Sequence, residues 1–113
     1  KIMELTDKEK KVLSVFRIEG ETCCLVDNAQ DMKDQNMSYA ILEDVMEQTG
    51  YNSQQVGGIV ASLLEKDLLI PEEHSEGKSM WFLSDLGIDA AYANPENNLK
   101  YDNLIDRNSN GLR

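Results

Sequence analysis

The sequence predicts a mainly α fold with a β-hairpin: a three-helix core, a two-stranded hairpin and a short C-terminal helix. Three observations lead there. Residues able to cap a helix, Thr6, Ser38, Ser53 and Ser84, stand at the heads of four segments. Val56, Ile59, Val60, Leu63 and Leu64 recur at i, i+3, i+4, i+7 and i+8, the spacing of one core-facing stripe on a helix. Two short apolar runs, 68–70 and 79–83, flank a polar loop that contains Gly77.

Thr6-Asp7-Lys8-Glu9 is a capping box, since the Thr6 hydroxyl and the Glu9 carboxylate can each accept the other residue's amide. Val12, Leu13, Val15 and Phe16 follow, so a first helix is expected over 7–19, with Gly20 as its stop. Residues 21–37 form an irregular insertion in which Thr22 to Val26 reads as a short β-type run. Ser38 caps a second helix over 39–48, with Ile41, Leu42, Val45 and Met46 on one face and Glu43, Asp44, Glu47 and Gln48 on the other. Thr49 to Asn52 breaks it, and Ser53 caps a third helix over 54–66. Strand 68–70 ends at Pro71, strand 79–83 returns, and Ser84 caps a last helix over 85–92. Phe16, Leu42, Val45, Ile59, Leu63 and Leu83 are the expected core. Residues 1–93 form the expected domain and 94–113 an Asn-rich tail.

At 113 residues, 41% of them apolar, the chain has material for one modest core. No apolar run approaches the ~20 residues of a membrane-spanning helix. Lys1 to Glu4 do not read as a secretory signal, and the adjacent Cys23 and Cys24 make no disulfide framework, so a reducing cytoplasm is the expected compartment. Twenty-one acids against 11 bases give a net charge of −10. That argues against broad electrostatic attachment to nucleic acid or anionic lipid. Residues 38–93 carry most of it, with ten acids and two bases, Lys66 and Lys78.

The order helix, helix, turn containing Gly50, helix, hairpin, helix resembles a winged helix-turn-helix. Thr49 to Ser53 looks like the turn before a recognition helix, and Leu63-Leu64-Glu65-Lys66-Asp67-Leu68-Leu69-Ile70 like the "L-x-x-K-G-L-I" exit into the wing. Trp81 to Gly87 looks like the "Y-x-L-T-x-x-G" return strand and final helix of MarR-type regulators, and Gln55 to Val60 is similar to small winged-helix proteins of phage genomes. The resemblance implies sequence-specific binding of double-stranded DNA, with the third helix in the major groove and the wing on a phosphate or in the minor groove. Carried over position by position, the DNA-contacting residues are Ser53, Gln54, Gln55, Gly58 and Ser62 on the helix and His74, Ser75 and Lys78 on the wing. It also implies a homodimer, because one such helix rarely supplies enough contacts.

This chain differs from the family pattern in three places. The third helix has no base before Lys66, the wing holds Glu72, Glu73 and Glu76 against Lys78, and Asp67 stands where the family has glycine. Few cations release few counterions, so the sequence-independent part of DNA affinity has to come from the Lys8-Lys10-Lys11-Arg17 face of the first helix or from a basic partner. The acidic surface also supports a reading from another class, a protein-interaction module that uses Glu72, Glu73 and Glu76 against a basic site on a nucleic-acid-handling protein.

Gly57-Gly58 cost about 1 kcal/mol each relative to alanine inside a helix. Two explanations compete: close packing on the second helix, or an exposed face that a partner's backbone approaches. Cys23 and Cys24 point to opposite faces if they lie in a strand, and with one histidine in the chain a zinc site lacks ligands. His74 has no nucleophile or orienting group in the sequence around it. The pairs Glu43/Glu47 and Asp85/Asp89 fall on polar helix faces. No phosphate-cradling glycine loop and no triad are present, so the expectation is a non-enzymatic protein without cofactor or metal.

Overall fold

The structure, a computed structural model, describes residues 4–24, 26, 28–35, 37–73 and 76–93. Among these the order is α1 (Asp7–Cys24), α2 (Ala29–Gln35), β1 (Tyr39–Ile41), α3 (Leu42–Thr49), α4 (Ser53–Glu65), β2 (Leu69–Glu73), β3 (Ser79–Leu83) and α5 (Asp85–Ala93). The chain is thus mainly helical, with a small three-stranded antiparallel sheet in the order β1-β3-β2. No helix among the described residues is long and apolar enough to cross a membrane. The expected tail lies outside the described residues.

α1 is the axis of the fold and packs on α3, α4, α5 and β1. Val12, Leu13, Val15, Phe16 and Ile18 are buried on more than one side of it. The expected capping box starts it: the Thr6 N–H donates to Glu9 Oε1 at 2.9 Å and the Glu9 N–H to Thr6 Oγ1 at 3.1 Å. Gly20 does not stop α1, and the expected β-type run at 22–26 is helical as far as Cys24. The glycine serves close packing instead. A Cβ there would lie 2.6 Å from Met32 Sδ and 3.1 Å from Ser38 Cα.

The insertion expected to be irregular contains α2. Asn28 caps it, with Oδ1 accepting the Asp31 N–H at 2.8 Å, and Met32 anchors it in the core. Lys33 ties it to α5 through Asp89 at 2.8 Å. Ser38 is not a helix cap. Its carbonyl accepts the Leu83 N–H at 3.1 Å, and the next three residues form the strand β1 against β3. The second helix of the sequence reading therefore begins at Leu42, and no side chain caps it.

The break after α3 follows from its residues. Thr49 Oγ1 donates to the Val45 carbonyl at 2.6 Å and accepts the Tyr51 N–H at 3.2 Å. Gly50 takes φ 80°, a conformation that favours glycine. α4 then buries Val56, Val60 and Leu63, while Ile59, like Leu42 of α3, is partly buried and packs against the core. Phe16, Val45, Leu63 and Leu83 are buried as expected. Pro71 does not end β2 but lies inside it, opposite Trp81. β2 is an edge strand, where a missing N–H costs no ladder bond if it faces solvent.

Candidate nucleic-acid interface

α4 presents an outward face of Ser53, Gln54, Gln55, Gly57, Gly58 and Ala61, all exposed. No charged residue occurs in α4 before Glu65, its last residue. A Cβ built on Gly57 or on Gly58 meets nothing within 4 Å. Packing against the second helix of the reading therefore does not explain this pair; the glycines thin an open surface.

The helix starts one residue earlier than expected. Asn52, not Ser53, is its cap: Asn52 Oδ1 accepts the Gln55 N–H at 2.8 Å, and Gln55 Oε1 accepts the Asn52 N–H at 3.0 Å. Gln55 thus spends its carbonyl oxygen on the helix and keeps its NH2 as a donor. Gln54 takes no part in the cap.

Beside this face runs an open groove of about 350 Å3, lined on the α1 side by Thr6, Lys8 and Glu9 and on the α4 side by Gln54, Gln55, Gly58, Ile59 and Ser62. Its floor is organised by Glu9. That carboxylate accepts from Ser62 Oγ at 2.5 Å and from Lys66 Nζ at 2.9 and 3.0 Å, besides the Thr6 amide. Burial pushes the Glu9 carboxyl up, but the hydrogen bonds from Ser62, Thr6 and Lys66, with the charge of Lys66, outweigh it and hold the group below its ordinary 4.5. Ser62 and Lys66 are therefore engaged inside the protein. Ser62 was expected to face DNA, and its hydroxyl is already committed to an acid.

Positive charge comes from α1 instead. Lys8 and Lys11 lie 6.0 and 5.2 Å from the centre of the Tyr51 ring, in the turn that leads into α4. Among the described residues neither forms a salt bridge. Burial raises the Tyr51 hydroxyl's pKa, as does the nearby charge of Asp7, so the ring stays neutral beneath the two ammonium groups. Arg17, expected on the same basic face, is buried, bonds Glu21 at 3.1 Å and stacks 5.8 Å from the Tyr92 ring. The basic face is shorter than the sequence suggested.

On the hairpin, Glu72, Glu73 and Glu76 are exposed, and Lys78 lies 3.6 Å from Glu76. His74 and Ser75 lie outside the described residues. Cys23 is a free, exposed thiol at the end of α1, not a strand residue, and no described group of three or more His, Cys, Asp or Glu is placed to hold a metal ion. Glu43, Glu47, Asp85 and Asp89 are exposed, with Asp89 bound to Lys33.

The structure therefore brings Gln54, Gln55, Gly58 and Ser62 together along one groove that Lys8 also lines, with Lys11 over the Tyr51 ring in the turn before α4; Lys8, Lys11 and Tyr51 are not among the contacts that the resemblance implies. The basic run of α1 was the available signal. No family model matches this sequence, and no curated protein is significantly similar to it.

Proposed function

We propose that this chain is a winged helix-turn-helix protein of MarR-like type that binds double-stranded DNA as a transcription regulator, with α4 as the reading helix. The carrying observation is the outward face of α4: uncharged, partly stripped of side chains, and beside a groove that Lys8 lines, with Lys11 over the Tyr51 ring in the turn before it, in a chain of net charge −10. Glutamine carboxamides pair with adenine edges in the major groove, and glycines let the helix backbone approach the bases closely. Gln54 is the chief reader, Gln55 contributes its NH2, and Ser53 meets a phosphate at the helix N-terminus. Lys8 and Lys11 supply the backbone contacts that the acidic hairpin does not. A homodimer reading two half-sites gives such a short contact set sufficient affinity.

The test is selection from random duplexes at low salt. A preferred sequence is expected, and Gln54→Ala should weaken it by ~1–3 kcal/mol while leaving other duplexes alone. With two lysines on phosphates, log affinity against log salt should slope at roughly −2 per protomer. Selection that enriches nothing ends this reading. The hairpin supports a second one: Glu72, Glu73 and Glu76 against a single lysine favour a basic protein surface over a phosphate backbone.

A further inference from the structure

The three-stranded sheet has two unlike faces. Ala40, Leu69, Trp81 and Leu83 point to the core side, where each is buried or packed against the core. By the alternation of strand residues, Tyr39, Ile41, Ile70, Met80 and Phe82 occupy the other side. None of these five packs against the core. Tyr39, Phe82 and Ile70 stand opposite one another in a single row across β1, β3 and β2, and the Tyr39 and Phe82 rings meet edge to face at 5.5 Å. Tyr39 is 36% exposed and Ile70 47%, so this row holds two of the three large apolar side chains most open to solvent among the described residues.

Acids close both ends of the patch. Glu72 lies on the same face, opposite Met80, with exposed Glu73 and Glu76 further along the hairpin. Exposed Asp67 and Asp85 lie at the other end, where the Ser84 hydroxyl donates to the Asp67 carbonyl at 2.6 Å.

We infer that this outer sheet face is a docking surface for a basic amphipathic helix of a partner protein. Three strands span about 10 Å between the outer axes, close to the ~10 Å width of one helix. An apolar stripe on that helix covers Tyr39, Phe82 and Ile70, and its lysines or arginines meet the acids at either end. Charge selects this occupant over a second copy of the chain, which would set Glu72 and its neighbours against their own equivalents at a net charge of −10 on each side. The face is separate from the α4 groove. It gives the second reading above a defined surface, and it holds whether or not α4 reads DNA.

The probe is a fluorescent synthetic helical peptide of lysine and leucine, titrated into the full chain by anisotropy beside a peptide of equal charge built from lysine and serine. The leucine peptide should bind and the serine peptide should not. Ile70→Asn, which leaves the charge unchanged, should weaken binding roughly fivefold or more, as expected for losing an apolar anchor. Glu72→Gln with Glu73→Gln should slow association. Duplex selection with Ile70→Asn should match the unaltered chain, which separates a failure of this inference from a failure of the DNA reading. The proposal is overturned if the leucine peptide fails to bind, if both peptides bind equally, if Ile70→Asn changes nothing, or if sedimentation shows self-association that Ile70→Asn abolishes.

Discussion

Glu9 in the first turn of α1 and Lys66 just past the end of α4 form an ion pair at 2.9 Å, joining positions 57 residues apart. The Glu9 carboxylate is almost fully buried and also holds the Thr6 amide and the Ser62 hydroxyl. It therefore sets the start of α1 and the placement of α4 on it, and so forms the floor of the groove beside Gln54.

Replacing Glu9 by glutamine should destabilise the fold by about 2–3 kcal/mol, since it removes a charge-assisted hydrogen bond and leaves Lys66 without its partner carboxylate. The pH dependence follows in sign. A carboxyl held below its ordinary 4.5 in the folded state contributes stability above that value and loses it as pH falls through its folded value. The unaltered protein should therefore weaken below pH 4.5, and the variant should show a shallower acid limb. Glu19 acts in the opposite sense. Burial raises its pKa, against the hydrogen bond from Gln48, so its contribution declines as pH rises above 4.5. Urea melts across this range check both, and an unchanged acid limb in the variant sinks the assignment to Glu9.

Gly57→Ala and Gly58→Ala should each stabilise the protein by about 0.5–1 kcal/mol, because the new methyl meets nothing and alanine favours the helix. The same methyls stand on the α4 face proposed to meet DNA, so duplex affinity should fall while stability rises, and Gly58→Leu should lower affinity further. Paired melting and binding measurements test this. Stabilised variants with full affinity for the preferred duplex remove close approach as the reason for the glycines.

Elements with local signals were legible in the sequence. Thr6 and Glu9 cap α1 as read, the Val56, Val60 and Leu63 stripe faces the core, and the hairpin pairs as expected. The rest depended on partners distant in sequence. β1 is three residues long, too short to show alternation, and exists through its pairing with β3. Gly20 looks like a stop because its helical role depends on Met32 and Ser38 lying against it. The exposure of Gln54 and Gly58 could be read as the side opposite the stripe. The engagement of Ser62 by Glu9 could not, since the two are 53 positions apart.

Gly87 is required for space. A Cβ there would fall inside van der Waals contact with the Leu68 carbonyl oxygen and 3.2 Å from Leu83 Cδ2. The Leu68 carbonyl accepts the Ser84 N–H at 3.1 Å, and the Ser84 hydroxyl accepts the Gly87 N–H at 3.0 Å, so neither side yields without losing a bond. Gly87→Ala should cost about 2–4 kcal/mol. A loss below ~1 kcal/mol in denaturant melts would mean that α5 shifts freely on the sheet.

Asp67 is the described non-glycine residue with a positive φ, at 62°. It links α4 to β2 by donating its N–H to the Leu64 carbonyl at 3.1 Å and accepting from the Ser84 hydroxyl at 2.6 Å, both through the backbone. The left-handed conformation costs an ordinary L-residue roughly 1–2 kcal/mol, less for aspartate. Glycine removes that cost but gives back about 0.5–1 kcal/mol through the freedom of its unfolded chain. Asp67→Gly should therefore gain only about 0.5 kcal/mol. Asp67→Val, branched at Cβ, should lose about 1–2 kcal/mol. The backbone bonds to Leu64 and Ser84 do not depend on the side chain, so the order glycine, aspartate, valine reports conformation alone. Urea melts with unchanged slope should give that order, and a valine variant as stable as the unaltered protein would show that Asp67 carries no strain.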